Sequence, residues 1–169
     1  MQLRPHQNEA LAKMRLRSKG QVIVPTGGGK TMCMIEDAKR RFAQDSLPKT
    51  IVVVAPRILL ANQLSSEFLE FIDNAEVLHV HSGETHHYST TKASEISVWS
   101  AKNSVSNQII FTTYHSLHRI SDSLDFEVDT IYFDEAHNSV QKNFYPATEH
   151  FSRNADLSLI HISEPTRPS

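Results

Sequence analysis

The run TIVVVA at residues 50–55 has no polar position alternating with its apolar ones. A strand exposed on one face alternates, so this run expects cover on both faces, as in the interior of a parallel sheet. Residues 21–24, 76–80, 108–112 and 130–133 are four further short runs of the same character. Between them, residues 5–17, 30–43, 57–72 and 114–120 have the spacing of helices. In the third, Ile58, Leu59, Asn62, Leu64, Phe68, Leu69 and Ile72 form the expected inward stripe. Strand–helix alternation requires parallel strands joined by right-handed crossovers. The expected fold class is therefore α/β, an open and mostly parallel sheet with helices on both faces. Ligands on such sheets bind at the carboxyl ends of the strands. Residues 81–107, rich in Ser, Thr and His, are expected to form a long surface excursion with one short helix near 91–101.

The chemistry-bearing segments fall where that rule points. PTGGGKT, residues 25–31, follows the apolar run QVIV and precedes a helix. Gly27, Gly28 and Gly29, next to Thr26, let the backbone turn its N–H groups around phosphate oxygens that side chains would obstruct. The helix start adds its positive end. Lys30 can reach the β- and γ-phosphates, and the Thr31 hydroxyl can ligate Mg²⁺. The strict phosphate-loop pattern has glycine where Val24 stands. A second segment, IYFDEAHN at 131–138, brings two adjacent carboxylates to the end of a strand. Asp134 is a hard oxygen ligand suited to Mg²⁺. Glu135 is placed to activate a water against the γ-phosphate. An acidic helix start is the other reading of DEAH taken alone.

PTGGGKT and DEAH together resemble superfamily 2 helicases, above all the type III restriction-enzyme helicase subunits and related phage DNA helicases. The resemblance covers residues 3–156 and implies a RecA-like P-loop NTPase domain using ATP and Mg²⁺. It implies that Gln7, in LRPHQNEAL, reads the adenine edge, and that His137 couples the nucleotide site to a domain interface. VAPRILLANQ, residues 54–63, resembles a nucleic-acid-contacting motif in which Arg57 meets backbone phosphates. TTYHSLHRI, residues 112–120, resembles another, with Thr112, Thr113 and Arg119 facing phosphates. A strand end and helix cap is the structural alternative for the two threonines. The resemblance alone implies double-stranded DNA rather than RNA as the partner; DEAH-type RNA helicases share motif II but usually differ after it, where Asn138 stands here. The resemblance also implies a second RecA-like domain, absent here, that carries a catalytic arginine. Without it the chain is expected to bind ATP with little turnover, since an arginine finger supplies about 10³–10⁵ in rate. A P-loop protein acting on a small molecule would leave Gln7, Arg57 and TTYHSL without a role.

Composition narrows the setting. The chain has 169 residues, enough for one core and too few for two domains. No run of about 18 apolar residues is present to span a bilayer, and the start has no signal-peptide pattern. Cys33 is the single cysteine, which excludes a disulfide framework and fits a reducing cytoplasm, bacterial or phage-infected. It is expected to be a small buried filler. The net charge of −2 divides into +6 over residues 1–41 and −8 over the rest, a basic front end suited to phosphates. His79, His81, His86 and His87 lack the fixed spacing of a metal site. The segment LSLIHISEPTR, residues 157–167, resembles the translation of a common transposon-based sequencing adapter. The expected native domain is therefore residues 1–156, with 157–169 foreign to it; a native strand LSLIHI followed by a loop is the other reading.

Overall fold

The computed structural model describes residues 19–23, 29–44, 46–83, 88–121, 128–135 and 158–163. The expected first helix, with Gln7, and the residues Thr26, Gly27, Gly28 and His137 lie outside that set. The strands are β1 (Lys19–Ile23), β2 (Thr50–Ala55), β3 (Ala75–Val80), β4 (Asn107–Thr113), β5 (Thr130–Glu135) and β6 (Ser158–Ser163). The helices are α1 (Lys30–Ala43), α2 (Ile58–Phe71), α3 (Ala93–Lys102) and α4 (Leu117–Ser121). The strands form one sheet in the order β1-β6-β5-β2-β4-β3, every pairing parallel.

Period-two alternation of each strand divides the interior into two layers. Ile51, Val53, Ile109, Phe111 and Tyr132 face α1 and α2, together with Met34, Ala38 and Phe68. Val52, Val54, Ile110, Ile131 and Phe133 face α3 and α4, together with Ile96, Leu117 and Ile120. All six residues of β2 are buried, which is why its sequence has no polar alternation. The fold is the expected α/β sheet with helices on both faces.

Local sequence explains where the helices stop and turn. Pro56 forces Ala55 to stay extended, so β2 runs to its last residue. Arg57 is still extended (φ −145°, ψ 156°), and its carbonyl accepts the Ala61 N–H at 3.0 Å, opening α2 at Ile58. The inward stripe of α2 is Ala61, Leu64, Ser65, Phe68 and then Ile72, whereas Leu59 is 68 % exposed. The hydrophobicity pattern misjudged this face because a small residue and a serine occupy the closest approach to the sheet. Phe68 packs edge-on against Phe111 at 5.4 Å and 84°, worth about 0.5–1.5 kcal/mol beyond the area buried.

Two further segments differ from expectation. The helix expected over 114–120 shrinks to Leu117–Ser121, because Tyr114 N–H turns back to the Ala55 carbonyl at 3.2 Å. The excursion after β3 does hold a helix, Ala93–Lys102. Its approach is more ordered than the composition suggests: His79 N–H donates to Tyr88 O and Thr90 N–H to His79 O, both at 3.0 Å. Thr90 is buried, its hydroxyl donating to the Glu95 carboxylate and accepting from Lys92 N–H.

Strand β6 falls in the segment expected to be foreign. It lies between β1 and β5, with Ile160 and Ile162 buried in the α1 layer. Unpaired inner edges of β1 and β5 would leave backbone groups unsatisfied, and an alternating apolar hexapeptide satisfies both. Filling that slot requires only the pattern of SLIHIS, whatever its origin.

Candidate active site at the carboxyl edge of the sheet

Because all strands are parallel, their carboxyl ends form one rim. The described residues of the chemistry-bearing segments lie at that rim: Lys30 opens α1, Asp134 and Glu135 close β5, Arg57 follows β2, and 114–121 follow β4. Strands β5, β2 and β4 are consecutive neighbours, so their ends lie within one or two spacings of about 4.8 Å.

Gly29 is left-handed (φ 73°, ψ 50°), the one such residue among those described. A side chain there would be strained, which is why glycine directly precedes Lys30. The Gly29 carbonyl accepts the Cys33 N–H at 3.2 Å and starts α1. No side chain caps this helix, so its first-turn amides keep their capacity for an anion. Cys33 is fully buried behind the turn, and burial pushes its thiol up to about 11. That is the inert filler expected of it.

Lys30 is the first residue of α1, and its Nζ lies 2.6 Å from Oδ1 of Asp134 near the end of β5. Their side chains are only 16 % and 5 % exposed. Although the ammonium sits beside it, Asp134 Oδ1 makes no aligned hydrogen bond and is shielded from solvent. A buried carboxylate oxygen in that condition, with the Thr31 hydroxyl on the same first helical turn, is a fitting donor set for a hard divalent cation. Glu135 closes β5, its backbone in register with Ser163; its side chain lies outside the described set.

Three residues not singled out in the sequence support this pair. Asp37, fully buried on α1, accepts from Arg40 Nη2 at 2.8 Å and Arg41 Nε at 2.7 Å. It also accepts from the Tyr132 hydroxyl on β5. Burial first, then the neighbouring Asp37 carboxylate, holds the Tyr132 phenol well above its ordinary range, so it remains a donor. Tyr114 is buried with its hydroxyl 3.5 Å from the Asp134 carbonyl and its N–H on Ala55 O. It therefore touches the ends of both β5 and β2. The available signal was an acidic residue on an apolar helix face with arginines three and four positions on.

On the β2–β4 half of the rim, Arg57 and Arg119 are exposed. Thr112 corrects the sequence expectation: it is fully buried, and its hydroxyl donates to the Val80 carbonyl at 2.8 Å, so it has no face for a phosphate. Thr113 is 3 % exposed, and its carbonyl accepts the Ser116 N–H at 3.1 Å. Both threonines are buried because helices cover β4 on both faces.

At the end of β3, His79 and His81 are both buried. Gly83 N–H donates to His81 Nδ1 at 3.1 Å, so that nitrogen carries no proton. The proton on His81 Nε2 then points at His79 Nδ1, 3.0 Å away, and His79 Nε2–H points at Ser65 Oγ, also 3.0 Å away. This chain works only with both rings neutral, and burial lowers the His81 pKa below its ordinary value. A folded-state pKa below the unfolded one gives stability that is complete above about pH 6.5 and lost as pH falls. The urea midpoint should therefore drop between about pH 6.5 and 5 more steeply in the wild type than in His81→Asn, whose amide keeps the acceptor towards Gly83. Equal slopes for the two proteins would remove this histidine chain as the cause. Gly83 closes the same corner against α2: a Cβ there would come within 2.3 Å of Ile58 Cγ2.

Sheet order, the left-handed Gly29 ahead of α1 and the Lys30–Asp134 pair are those of a RecA-like domain of the helicase kind. The chain matches the family model of the type III restriction enzyme res subunit over residues 1–159 and belongs to that family. Among solved structures it is similar to a nuclease-deletion mutant of the Type ISP restriction-modification enzyme LlaGI in complex with a DNA substrate mimic. That match has 21 % identity and a TM-score of 0.78, over 99 % of this chain and 18 % of the other. The UvsW helicase from bacteriophage T4 matches at 15 % identity and 0.70, over 96 % of this chain and 52 % of that one. The Pyrococcus furiosus Hef helicase domain matches at 18 % and 0.68, over 98 % and 33 %. The chain thus spans about half of the phage helicase and under a fifth of the Type ISP enzyme. No curated protein matches it in sequence.

Proposed function

We propose that this chain is the ATP-binding first motor domain of an ATP-dependent helicase or translocase acting on double-stranded DNA. The 2.6 Å contact of Lys30 with Asp134 carries the reading, because it joins the two sequence signals at the carboxyl rim. Lys30 would move from Asp134 to the β- and γ-phosphates, with Gly27, Gly28 and Gly29 turning amides toward them and Thr26 beside them. Thr31 and Asp134 would hold Mg²⁺, which when bound offsets the negative charge of the phosphate oxygens. Glu135 would take the proton of the attacking water. Gln7 would read the adenine edge and His137 would report to a second RecA-like domain. Exposed Arg57 and Arg119, on the neighbouring strand ends, would contact backbone phosphates.

DNA as substrate is supported by the family and by neighbours whose structures hold it, the LlaGI complex and a Sulfolobus solfataricus SWI2/SNF2 ATPase core with double-stranded DNA. No helix among the described residues is long and apolar enough to cross a membrane, and a cytoplasmic setting is part of the proposal. So is a native domain of residues 1–156, which re-sequencing across the Asp156 codon would decide.

The test has two parts. Titration of this chain with ATP and Mg²⁺ should show binding with little turnover; no binding sinks the reading. In the full-length protein, Glu135→Gln should leave ATP affinity unchanged while lowering DNA-stimulated hydrolysis by about 10²-fold or more. Unaltered hydrolysis removes Glu135 from its role, and stimulation by RNA in place of duplex DNA overturns the substrate.

A further inference from the structure

Helix α1 meets strand β5 at two points. Lys30 contacts Asp134 at the rim, and Asp37 accepts from the Tyr132 hydroxyl deeper in the layer. The spacing makes both contacts belong to one interface. Asp37 follows Lys30 by seven residues, about two helical turns, so the two side chains share a face. Tyr132 precedes Asp134 by two residues, so they share a face of the strand.

Around these points the interface is apolar: Cys33 and Met34 between them and Ala38 just beyond pack in the same core layer. Such packing is non-directional and resists a small axial slide of the helix weakly. The Asp37–Tyr132 hydrogen bond is directional and charge-assisted, and it is sealed from water at full burial of both residues. Arg40 donates to Oδ1 and Arg41 to Oδ2 of the carboxylate, which holds it in one rotamer.

We infer that Tyr132 and Asp37 are positioning residues that set the axial register of α1 on β5, and through it the placement of Lys30 and Thr31 relative to Asp134. This rests on the ATP and Mg²⁺ reading above. Its consequence is selective. Metal-free nucleotide binding draws on Lys30 and the first-turn amides, which are part of α1 and move with it. The gain in affinity from Mg²⁺ needs Thr31 and Asp134 to reach one ion from opposite sides of the α1–β5 interface, so it alone senses the register.

The experiment compares ATP dissociation constants with Mg²⁺ and with EDTA for the wild type, Tyr132→Phe and Asp134→Ala, with melting temperatures alongside. Phenylalanine keeps the ring volume, and Asp37 keeps both arginines, so the fold is retained. The Mg²⁺-dependent gain should fall about tenfold in Tyr132→Phe, the scale of one charge-assisted hydrogen bond. The metal-free constant should stay within about twofold. Loss of both affinities in parallel, or a lowered melting temperature with the Mg²⁺ gain intact, is what mere packing gives and would overturn the inference. If the wild type shows no Mg²⁺ gain, the nucleotide reading fails and takes the inference with it. If the wild type gains, Asp134→Ala does not, and Tyr132→Phe matches the wild type, the inference alone fails.

Discussion

Lys30→Ala is expected to lower ATP affinity about a hundredfold, the loss of one to two charge-assisted hydrogen bonds to phosphate. The same substitution should lower stability, because it strips the partner from an Asp134 carboxylate whose side chain is only 5 % exposed. Removing one member of a buried pair costs about 3–5 kcal/mol, set by the uncompensated charge that remains. The two effects separate in a second variant. Adding Asp134→Asn to Lys30→Ala neutralises the stranded charge, so the urea midpoint should recover while ATP affinity stays low. Isothermal titration and urea denaturation on the same three proteins check this. Recovery of ATP affinity along with stability would mean that Lys30 acts on the fold and not on the nucleotide.

Asp37→Ala is expected to be as destabilising as Lys30→Ala, through a different set of partners. It leaves the Arg41 and Arg40 side chains, 13 % and 29 % exposed, without their carboxylate, and the Tyr132 hydroxyl buried without its acceptor. The cost should again be about 3–5 kcal/mol, a large part of the roughly 5–15 kcal/mol that holds a domain together. Asp37→Ala combined with Arg41→Leu should be milder than Asp37→Ala alone, because replacing both partners removes the stranded charge. Equal midpoints for the single and double variants would show that the carboxylate, and not the pairing, carries the stability.

Much of the candidate site could be read along the chain because its signals are local. A glycine triplet between an apolar run and a helix, and two carboxylates closing another run, each specify backbone conformation within a few residues. Gly29 takes the left-handed conformation that such a turn needs, and Lys30 starts α1 where the pattern put it. Strand β2 and helix α1 have the bounds that periodicity alone assigns.

What failed did so where the answer lay across the sheet. Thr112 looks like a polar strand end open to phosphate, yet cover on both faces of β4 and a hydrogen bond to Val80 on the neighbouring strand place it inside. Ser65 and His79 are polar residues far apart in the chain, yet each is the partner that allows the other to be buried.

The sequence by itself determined the class of fold, because continuous apolar runs alternating with amphipathic helices have one stable arrangement, a parallel sheet covered on both faces. It also determined where the left-handed turn before α1 falls, because glycine adopts that backbone without strain. The tertiary structure alone decided strand order, and with it that Lys30 faces Asp134 and that Asp37 meets Tyr132. The physical reason is that sequence patterns record the environment each residue needs, apolar or polar, whereas the identity of a buried charge's partner depends on packing between segments far apart in the chain.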